Sequence, residues 1–366
     1  MKNLKYLLSL LMLLFTITLA QNNSTKIDNN RFKQTDTYVQ TMIDSLQIVG
    51  LNYAILVDNE LVHQNSFGVA SKQLAVPMTI DKVFPVASIS KLFSSVALHK
   101  LLAIQNRNVE ETVGQFLPDR KDLPDTWRAL TLRQLLSHTS GIPDQIDCGI
   151  YLAPESEQFV IESLKDKPFS SKPGTESKYN ATGFLLVRMI MEQLAEQDFE
   201  SCMHEHFFDK FGLTSAIYGG FKAVIPKRVT CYQNVEGKLQ MFPLNYSSPM
   251  YAGAGLNISM EDLVKWIQLV FDEQILSREQ LSKIWEPVKL NNGEYGNFGL
   301  GWESYKLDGG LRIVGHGGAG ISAIRHYWND NSDENVTVIL LTNGALNWVE
   351  RPNQIANGIA SIILGE

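Results

Sequence analysis

Two mainly apolar runs on either side of a polar turn predict a β-hairpin near the start of the chain. Residues 51–57 and 61–68 are rich in β-branched and aromatic side chains, and the turn-forming sequence Asp58-Asn59-Glu60 separates them. A polar linker through about Thr35 and a short amphipathic helix precede the hairpin. The apolar residues of this helix recur at helical spacing: Tyr38, Met42, Ile43 and Leu46.

The middle of the chain has a different spacing. After Pro85, which suits the approach to a helix, apolar residues recur at intervals of three and four and predict a nearly buried helix. Helical spacing continues to about Leu213, with loops where glycine and proline cluster. The last third returns to strands and ends in a helix near residues 354–364. These strands are predicted at residues 311–314, 323–328 and 336–341.

Strands, then helices, then strands predict an α/β (α+β) protein in which a helical domain is inserted into a sheet domain. We place the discontinuous α/β domain at residues 37–95 with 236–366 and the mainly helical domain at residues 96–235. With 366 residues, of which 44% are hydrophobic and 19% charged, the chain has ample material for a core.

The first 20 residues have the pattern of a signal peptide for export. Lys2 and Lys5 precede an apolar run that ends in Thr18-Leu19-Ala20, and polar residues follow. The run is too short to span a bilayer comfortably, and no cysteine follows it for lipid attachment. We therefore expect a secreted or periplasmic protein without a membrane span after signal removal.

Charge and cysteine content narrow the classes of partner. The formal net charge of −7 argues against a nucleic-acid partner. Cys148, Cys202 and Cys231 are far apart and odd in number, which favours free, buried thiols over a disulfide framework, although one pair could bridge. A zinc site at His204 and His206 is disfavoured, because residues two apart on a helix face different ways and a third ligand is missing.

Candidate chemistry begins at Ser88 and Lys91, which are three residues apart and meet on one face of a helix. Burial lowers the pKa of a lysine, and a neutral amine can take the proton of a serine hydroxyl. The free N–H groups of a first helical turn can face an oxyanion. However, about one Ser-x-x-Lys is expected by chance in a chain this long, so the pair alone fits a core helix that starts with a polar residue better than it fits an active site.

Three further segments carry polar groups that could reach a cleft. His138 ends a short helix, where a histidine more often caps carbonyls than acts as a base. Tyr179 lies between a turn and a helix, and a nearby cation would stabilise its phenolate, although a tyrosine at such a position is more often a packing residue. His316 stands in the glycine-rich run 315–320, where the backbone can approach a ligand closely. A tight β turn without a ligand is the alternative for this run. No dinucleotide-binding or phosphate-loop pattern is present.

Taken in their order along the chain, the segments around Ser88, Ser140, Tyr179 and His316 resemble the motifs of the serine β-lactamase-like family. This family includes class C β-lactamases, D-alanyl-D-alanine carboxypeptidases and family VIII esterases. The resemblance covers nearly the whole chain after the signal sequence. It implies a β-lactamase/transpeptidase-like fold, with an antiparallel sheet flanked by helices and an inserted all-helical domain. The motifs that carry it are Ser88-x-x-Lys91, residues 132–141, Pro173-Gly174, Tyr179, residues 251–256 before Asp262-Leu263, residues 298–302 and His316-x-Gly318.

The resemblance also implies a role for each site residue. Ser88 would be the acylated nucleophile, Lys91 its activating partner, and Tyr179 the group that passes a proton to the leaving group. His316 would lie beside the reacting carbonyl. The family needs neither metal nor cofactor for this acyl transfer. The oxyanion-binding and substrate-binding positions would be Ser88, Gly318 and Ala319.

Two departures from the family pattern shape the expected activity. Ala181 occupies the position of the asparagine that commonly binds a substrate amide in the Tyr-x-Asn motif, and the adjacent Asn180 is expected to point elsewhere. His316 replaces a lysine, as in the peptidases and esterases more than in efficient class C β-lactamases. We therefore expect an exported serine hydrolase for small-molecule or peptide substrates, including peptidoglycan fragments, and for ester or D-amino-acid peptide bonds. A penicillin-binding or sensor module with little turnover, or a weak class C-like β-lactamase, is the alternative.

Overall fold

The computed structural model describes residues 28–331, 334–344 and 350–365. The predicted signal sequence at residues 1–20 lies outside this part of the chain. The strands are β1 Gly50–Val57, β2 Glu60–Ser71, β3 Val76–Pro77, β4 Val83–Pro85, β5 Ile217–Tyr218, β6 Tyr232–Val235, β7 Lys238–Met241, β8 Leu256–Ser259, β9 Glu303–Lys306, β10 Leu311–Gly318, β11 Ser322–Asn329 and β12 Asn335–Thr342.

Most of the helices lie between β4 and β9. The helices are α1 Asn29–Leu46, α2 Ser90–Ile104, α3 Val113–Phe116, α4 Asp125–Arg128, α5 Leu132–Leu136, α6 Glu157–Leu164, α7 Thr182–Ala195, α8 Phe199–Met203, α9 Asp209–Phe211, α10 Met260–Phe271, α11 Arg278–Trp285 and α12 Glu350–Leu364. A 3₁₀ turn, Ala87–Ile89, precedes α2, and a π-helical turn, His204–Phe208, follows α8.

The main sheet has seven strands in the order β3-β2-β1-β12-β11-β10-β9, and neighbouring strands are antiparallel. The predicted hairpin is β1–β2, whose turn residues Asp58 and Asn59 both have positive φ angles. Two smaller sheets, β4-β8-β5 and β6-β7, lie outside the main one. The antiparallel α/β architecture expected from the sequence is therefore confirmed.

Both faces of the sheet are buried, as the alternation along β1 shows. Leu51, Tyr53 and Ile55 pack with residues of α1 and α12, whereas Ala54 and Leu56 belong to the larger core that includes α2 and α7. Successive side chains of a strand point to opposite faces, so one strand contributes to both cores. The sheet thus forms a layer between the terminal helices α1 and α12 and the inner helices α2 and α7.

Two local expectations from the sequence are wrong. Helix α1 starts at Asn29 rather than after Thr35, because Asp28 caps it by accepting a hydrogen bond from the Asn30 N–H, and Thr35 is fully buried. Pro85, the last residue of β4, lies on the approach to a helix as expected, because the 3₁₀ turn that leads into α2 begins two residues later. The glycine-rich run is mostly strand, since β10 continues through Gly318.

The domain boundaries at residues 95/96 and 235/236 stay a prediction; the second falls inside the β6–β7 hairpin. Among the described residues, Ala87–Ile104 is long and apolar enough to cross a membrane, and 72% of it is buried in the protein. That degree of burial is typical of a core helix. Helix α2 therefore supports the site from inside the fold.

Candidate active site

A tight turn places Ser88 at the start of α2. Ala87 adopts a positive φ of 48°, which redirects the chain between β4 and the helix. The Ser90 hydroxyl donates to the Ala87 carbonyl at 2.7 Å and accepts from the Leu256 N–H at 3.1 Å, so the turn is fixed to strand β8. Ser88 itself lies in the 3₁₀ turn just before the α-helix that the sequence predicted for it.

Lys91 is one turn further along and is 3% exposed. Its Nζ donates to the Gly253 carbonyl at 2.7 Å and to Ser88 Oγ at 3.3 Å. Among the residues that the structure describes, no carboxylate lies within 4.0 Å of this amine. Burial lowers the pKa of Lys91 to about 7, although the charge of Asp144 opposes the shift. A large neutral fraction near pH 7 makes Lys91 a competent base for Ser88.

Tyr179 completes a group of three polar side chains. Its hydroxyl is 2.6 Å from Ser88 Oγ, and Lys91 Nζ is 4.9 Å from the centre of its ring. Burial raises the pKa of Tyr179, while the hydrogen bond with Ser88 acts in the opposite direction. The expectation that Tyr179 is stabilised as a phenolate is therefore wrong. Its hydroxyl is neutral, and it can accept one proton and donate another during the reaction.

His138 supports Tyr179 instead of capping helix carbonyls, as the sequence had suggested. Its backbone has a positive φ of 57°, and the Nδ1 of its buried ring accepts a hydrogen bond from the Asn180 N–H at 3.1 Å. The rings of His138 and Tyr179 have centres 4.6 Å apart. Burial holds the pKa of His138 well below its ordinary value. A neutral, uncharged ring thus sets the position of the segment that carries Tyr179.

The motif His316-x-Gly318 lies at the end of strand β10. His316 is buried, and its ring centre is 5.9 Å from that of Tyr179. Its Nδ1 is 2.6 Å from the Gly317 carbonyl, which fixes Nδ1 as the protonated nitrogen. Nε2 is buried and finds no hydrogen-bond partner among the described residues. Burial lowers the pKa of His316 to about 4, against the effect of Glu303, so the ring is neutral at pH 7.

A buried ion pair behind His316 was missed in the sequence. Glu303 in β9 and Arg325 in β11 both pair with Gly315 of β10, so their side chains share one face on either side of a residue without a side chain. Glu303 Oε2 accepts from Arg325 Nη2 at 2.5 Å, and Oε1 accepts from the Gly317 N–H at 3.1 Å. Burial alone would raise the pKa of Glu303, but Arg325 and His316 hold it below its usual value.

The end of β10 approaches the turn of Ser88 closely. The Ser322 hydroxyl donates to the Val86 carbonyl at 2.9 Å, and a Cβ at Gly318 would lie 2.3 Å from that same carbonyl. Ala319 follows with a positive φ of 42°. Only a glycine allows this approach at position 318. The oxyanion-binding roles of the Ser88, Gly318 and Ala319 positions stay a prediction.

The altered Tyr-x-Asn motif is rearranged around Asp144. Asn180 is buried and points away from the site as expected: Nδ2 donates to the Ile142 carbonyl at 2.8 Å, and Oδ1 accepts from the Gly183 N–H at 2.8 Å. Ala181 offers no side-chain hydrogen bond. Instead, its N–H donates to Asp144 Oδ2 at 2.9 Å. A carboxylate therefore lies beside the backbone of the residue that replaces the motif asparagine.

The other polar groups considered in the sequence stay apart from this site. Cys148, Cys202 and Cys231 are unpaired; Cys202 and Cys231 are buried, as expected, but Cys148 is exposed. The ring of His204 packs on Phe208 within the π-helical turn. In residues 28–331, 334–344 and 350–365, no group of three His, Cys, Asp or Glu side chains is placed to hold a metal ion.

Comparison with known proteins agrees with the geometry. The family model described as beta-lactamase matches residues 35–358. A penicillin-binding protein of Bacillus subtilis is 25% identical over 311 residues, which cover 79% of this chain and 67% of the relative. A putative D-alanyl-D-alanine carboxypeptidase of Escherichia coli is 23% identical over 316 residues, which cover 74% of this chain and 71% of the relative.

Solved structures with a similar fold include another hydrolase. The solved structure of EstCE1, a hydrolase with promiscuous acyltransferase activity, superimposes with a TM-score of 0.74 at 18% sequence identity and covers 91% of this chain and 99% of that one. At this identity the likeness concerns the fold alone. The family model, in contrast, spans most of the chain, including Ser88, Lys91, Tyr179 and His316. The chain belongs to the beta-lactamase family of serine hydrolases.

Proposed function

We propose that this protein is an exported serine hydrolase that cleaves an ester or a D-amino-acid peptide bond through an acyl-Ser88 intermediate. The observation that carries the proposal is the hydrogen-bonded group of Ser88, Lys91 and Tyr179, with Oγ 3.3 Å from a buried amine and 2.6 Å from a phenol. The lysine pKa of about 7 supports its use as a base.

The geometry supports a two-step acyl transfer. Ser88 Oγ attacks the carbonyl carbon while its proton moves to Lys91 Nζ, and the carbonyl oxygen becomes an oxyanion that the N–H groups of Ser88 and Ala319 would bind. When the scissile bond breaks, the leaving group takes a proton through Tyr179, and Lys91 returns one to the tyrosine. Water then attacks the acyl ester, its proton follows the same groups, and the acid leaves with Ser88 restored.

Two features favour esters and D-peptides over β-lactams as substrates. Ala181 has no side-chain amide to bind the acylamino group of a β-lactam, and His316 is neutral where a lysine would carry a charge. The names of the relatives, a penicillin-binding protein and a D-alanyl-D-alanine carboxypeptidase, support a D-peptide. The signal-like residues 1–20 support a secreted or periplasmic location, where peptidoglycan fragments would be available.

The test compares the wild-type protein with a Ser88→Ala variant on short-chain esters, a D-alanyl-D-alanine peptide and a penicillin. We expect kcat/KM to fall on the order of 10⁴-fold or more for every substrate that the wild type hydrolyses. Ser282→Ala, at an exposed position in α11, is the matched control and should keep full activity. Retained hydrolysis by the Ser88→Ala protein would contradict the proposal that Ser88 is the nucleophile.

The missing amide at Ala181 also favours a second candidate, a penicillin-binding or sensor module that acylates without efficient turnover. The same proteins distinguish the two. A penicillin adduct on Ser88 that persists for hours, with no ester or peptide hydrolysis, would favour the sensor. Rapid loss of the adduct together with drug hydrolysis would instead indicate a weak class C-like β-lactamase.

A further inference from the structure

Three large apolar residues are exposed around one open cavity on the surface. Phe221, Val224 and Met241 are 48%, 97% and 52% exposed, and all three line a cavity of about 470 Å³. Phe221 and Val224 lie in the loop after β5, and Met241 ends β7. We call these three residues the apolar rim. Single exposed apolar residues are ordinary, but a group of them around one cavity marks an interaction surface.

Two cationic side chains, Lys222 and Arg228, line the same cavity, and no Asp or Glu does so among the described residues. Within that part of the chain, neither cation has a carboxylate within 4.0 Å. Arg228 donates to the carbonyls of Gly220 and Phe221 at 3.0 and 2.9 Å, and its guanidinium has further N–H groups that these bonds do not use. The surface therefore combines exposed apolar groups with unpaired positive charge.

The segment that carries this surface is basic, although the chain as a whole is acidic. Residues 219–245 contain four Lys or Arg side chains and one acidic side chain, Glu236, whereas the formal net charge of the chain is −7. One of the four cations, Lys227, is paired with Asp81 at 2.8 Å. The other three, which include Lys238, stay available to an anionic partner.

An anionic lipid surface fits these features better than a second copy of the chain. In a symmetric contact between two copies the same patch faces itself, so Lys222 and Arg228 of one copy would repel those of the other. Lysine is also depleted in protein–protein interfaces, whereas apolar side chains beside lysine and arginine are typical of segments that lie on a membrane. A lipid layer would cover the whole apolar rim at once, and its phosphates would accept hydrogen bonds from the cations.

We propose that the apolar rim, together with Lys222 and Arg228, attaches the folded protein to the surface of an anionic lipid bilayer. The apolar side chains enter the boundary between headgroups and acyl chains, and the cations bind the lipid phosphates. Salt weakens this attachment, because exposed charges are screened. The cavity also reaches Pro85, three residues before Ser88, so the attached surface lies beside the strand that leads to the nucleophile. The attachment does not depend on the acyl transfer proposed for Ser88.

The test measures co-sedimentation with lipid vesicles of the chain from residue 21 onward, which contains every helix and strand of the described fold. We expect binding to vesicles of mixed phosphatidylglycerol and phosphatidylcholine, and at least about tenfold weaker binding to phosphatidylcholine alone. Val224→Asp should weaken binding to the mixed vesicles at least about tenfold, because it removes an apolar contact and adds a negative charge. Ile104→Asp, the same change at a 71% exposed position that ends α2, is the matched control and should bind normally.

Lys222→Glu tests the charge separately and should weaken binding on the order of tenfold, whereas Lys121→Glu, at another exposed position, should not. All four variants should unfold at the wild-type temperature, because the substituted positions are exposed. Equal binding of the wild type to both kinds of vesicle, or to neither, would overturn the proposal, as would normal binding by Val224→Asp. A concentration-dependent dimer that Val224→Asp abolishes, without vesicle binding, would assign the apolar rim to a contact between copies and would also overturn it.

Discussion

The two sides of the active site differ in how a buried charged group is paired: in the described part of the chain, Lys91 in helix α2 has no carboxylate partner, whereas Glu303 in strand β9 has Arg325. On the helix side, Lys91 is buried against a backbone carbonyl and a hydroxyl, without a carboxylate within 4.0 Å among the described residues, and its pKa falls to about 7. On the strand side, Glu303 is buried with Arg325 as a direct partner. A counterion is absent where a base is needed and present where a rigid support for His316 is needed. The difference suggests that burial alone activates Lys91.

Lys91→Met is the most direct test of the helix side, because it removes the proposed base. It keeps the apolar stem of the side chain but removes the base, so kcat/KM should fall about 10³- to 10⁴-fold. Because burying an amine costs free energy, the thermal unfolding temperature should not decrease. Lys100→Met, in the same helix, is the control that should keep activity. Substantial activity of Lys91→Met would show that another group takes the proton of Ser88.

Tyr179→Phe separates the proton relay from the base. The phenyl ring preserves the packing against His138 and leaves the Lys91–Ser88 contact in place, but the 2.6 Å hydrogen bond to Ser88 is lost. We expect about a 10²- to 10³-fold lower kcat, measured with an ester and an amide of the same acid. Tyr295→Phe, at an exposed position, should have no effect. A normal kcat for the amide would contradict the relay.

Glu303→Gln disrupts the buried ion pair on the strand side of the site. It leaves the Arg325 guanidinium buried without its carboxylate, and we expect the free energy of unfolding to decrease by about 3 kcal/mol. Urea denaturation would measure this change. Glu286→Gln, which removes an exposed ion pair with Lys306, should cost less than about 1 kcal/mol. Similar losses in the two variants would show that the buried pair has no special structural role.

The pH dependence of the wild type tests the same contrast without a mutation. Neutral Lys91 is the active form, so kcat/KM should decrease about tenfold per pH unit below about pH 7 and level off above it. His316, with a pKa of about 4, stays neutral over this range. A profile that is flat from about pH 5 to about pH 8 would indicate that Lys91 is not the titrating base.

The sequence predicted the helix side far better than the strand side. Ser88 and Lys91 are close in sequence, so helical spacing alone brings them together. Glu303 and Arg325 are 22 residues apart in strands whose register cannot be read from spacing. In the sequence each resembles a solvent-exposed charge, and only the shared partner Gly315 brings the two side chains into contact.

The orientation of Asp144 was equally hidden, for a different reason. It follows a proline in an irregular loop, and its contact with Ala181 depends on how that loop packs against the start of α7. Loop conformation depends on tertiary contacts more than on local pattern. The family resemblance identified the loss of the amide at position 181, but not the carboxylate that lies beside it.

The central claim is that Ser88 carries the acyl group. The most direct measurement is the intact mass of the protein, quenched at intervals after mixing with a penicillin or an activated ester, with the label then located by peptide mapping. The account predicts one acyl group per molecule, attached to Ser88 and absent from Ser88→Ala. An adduct on another residue, or equal labelling of the Ser88→Ala protein, would contradict it.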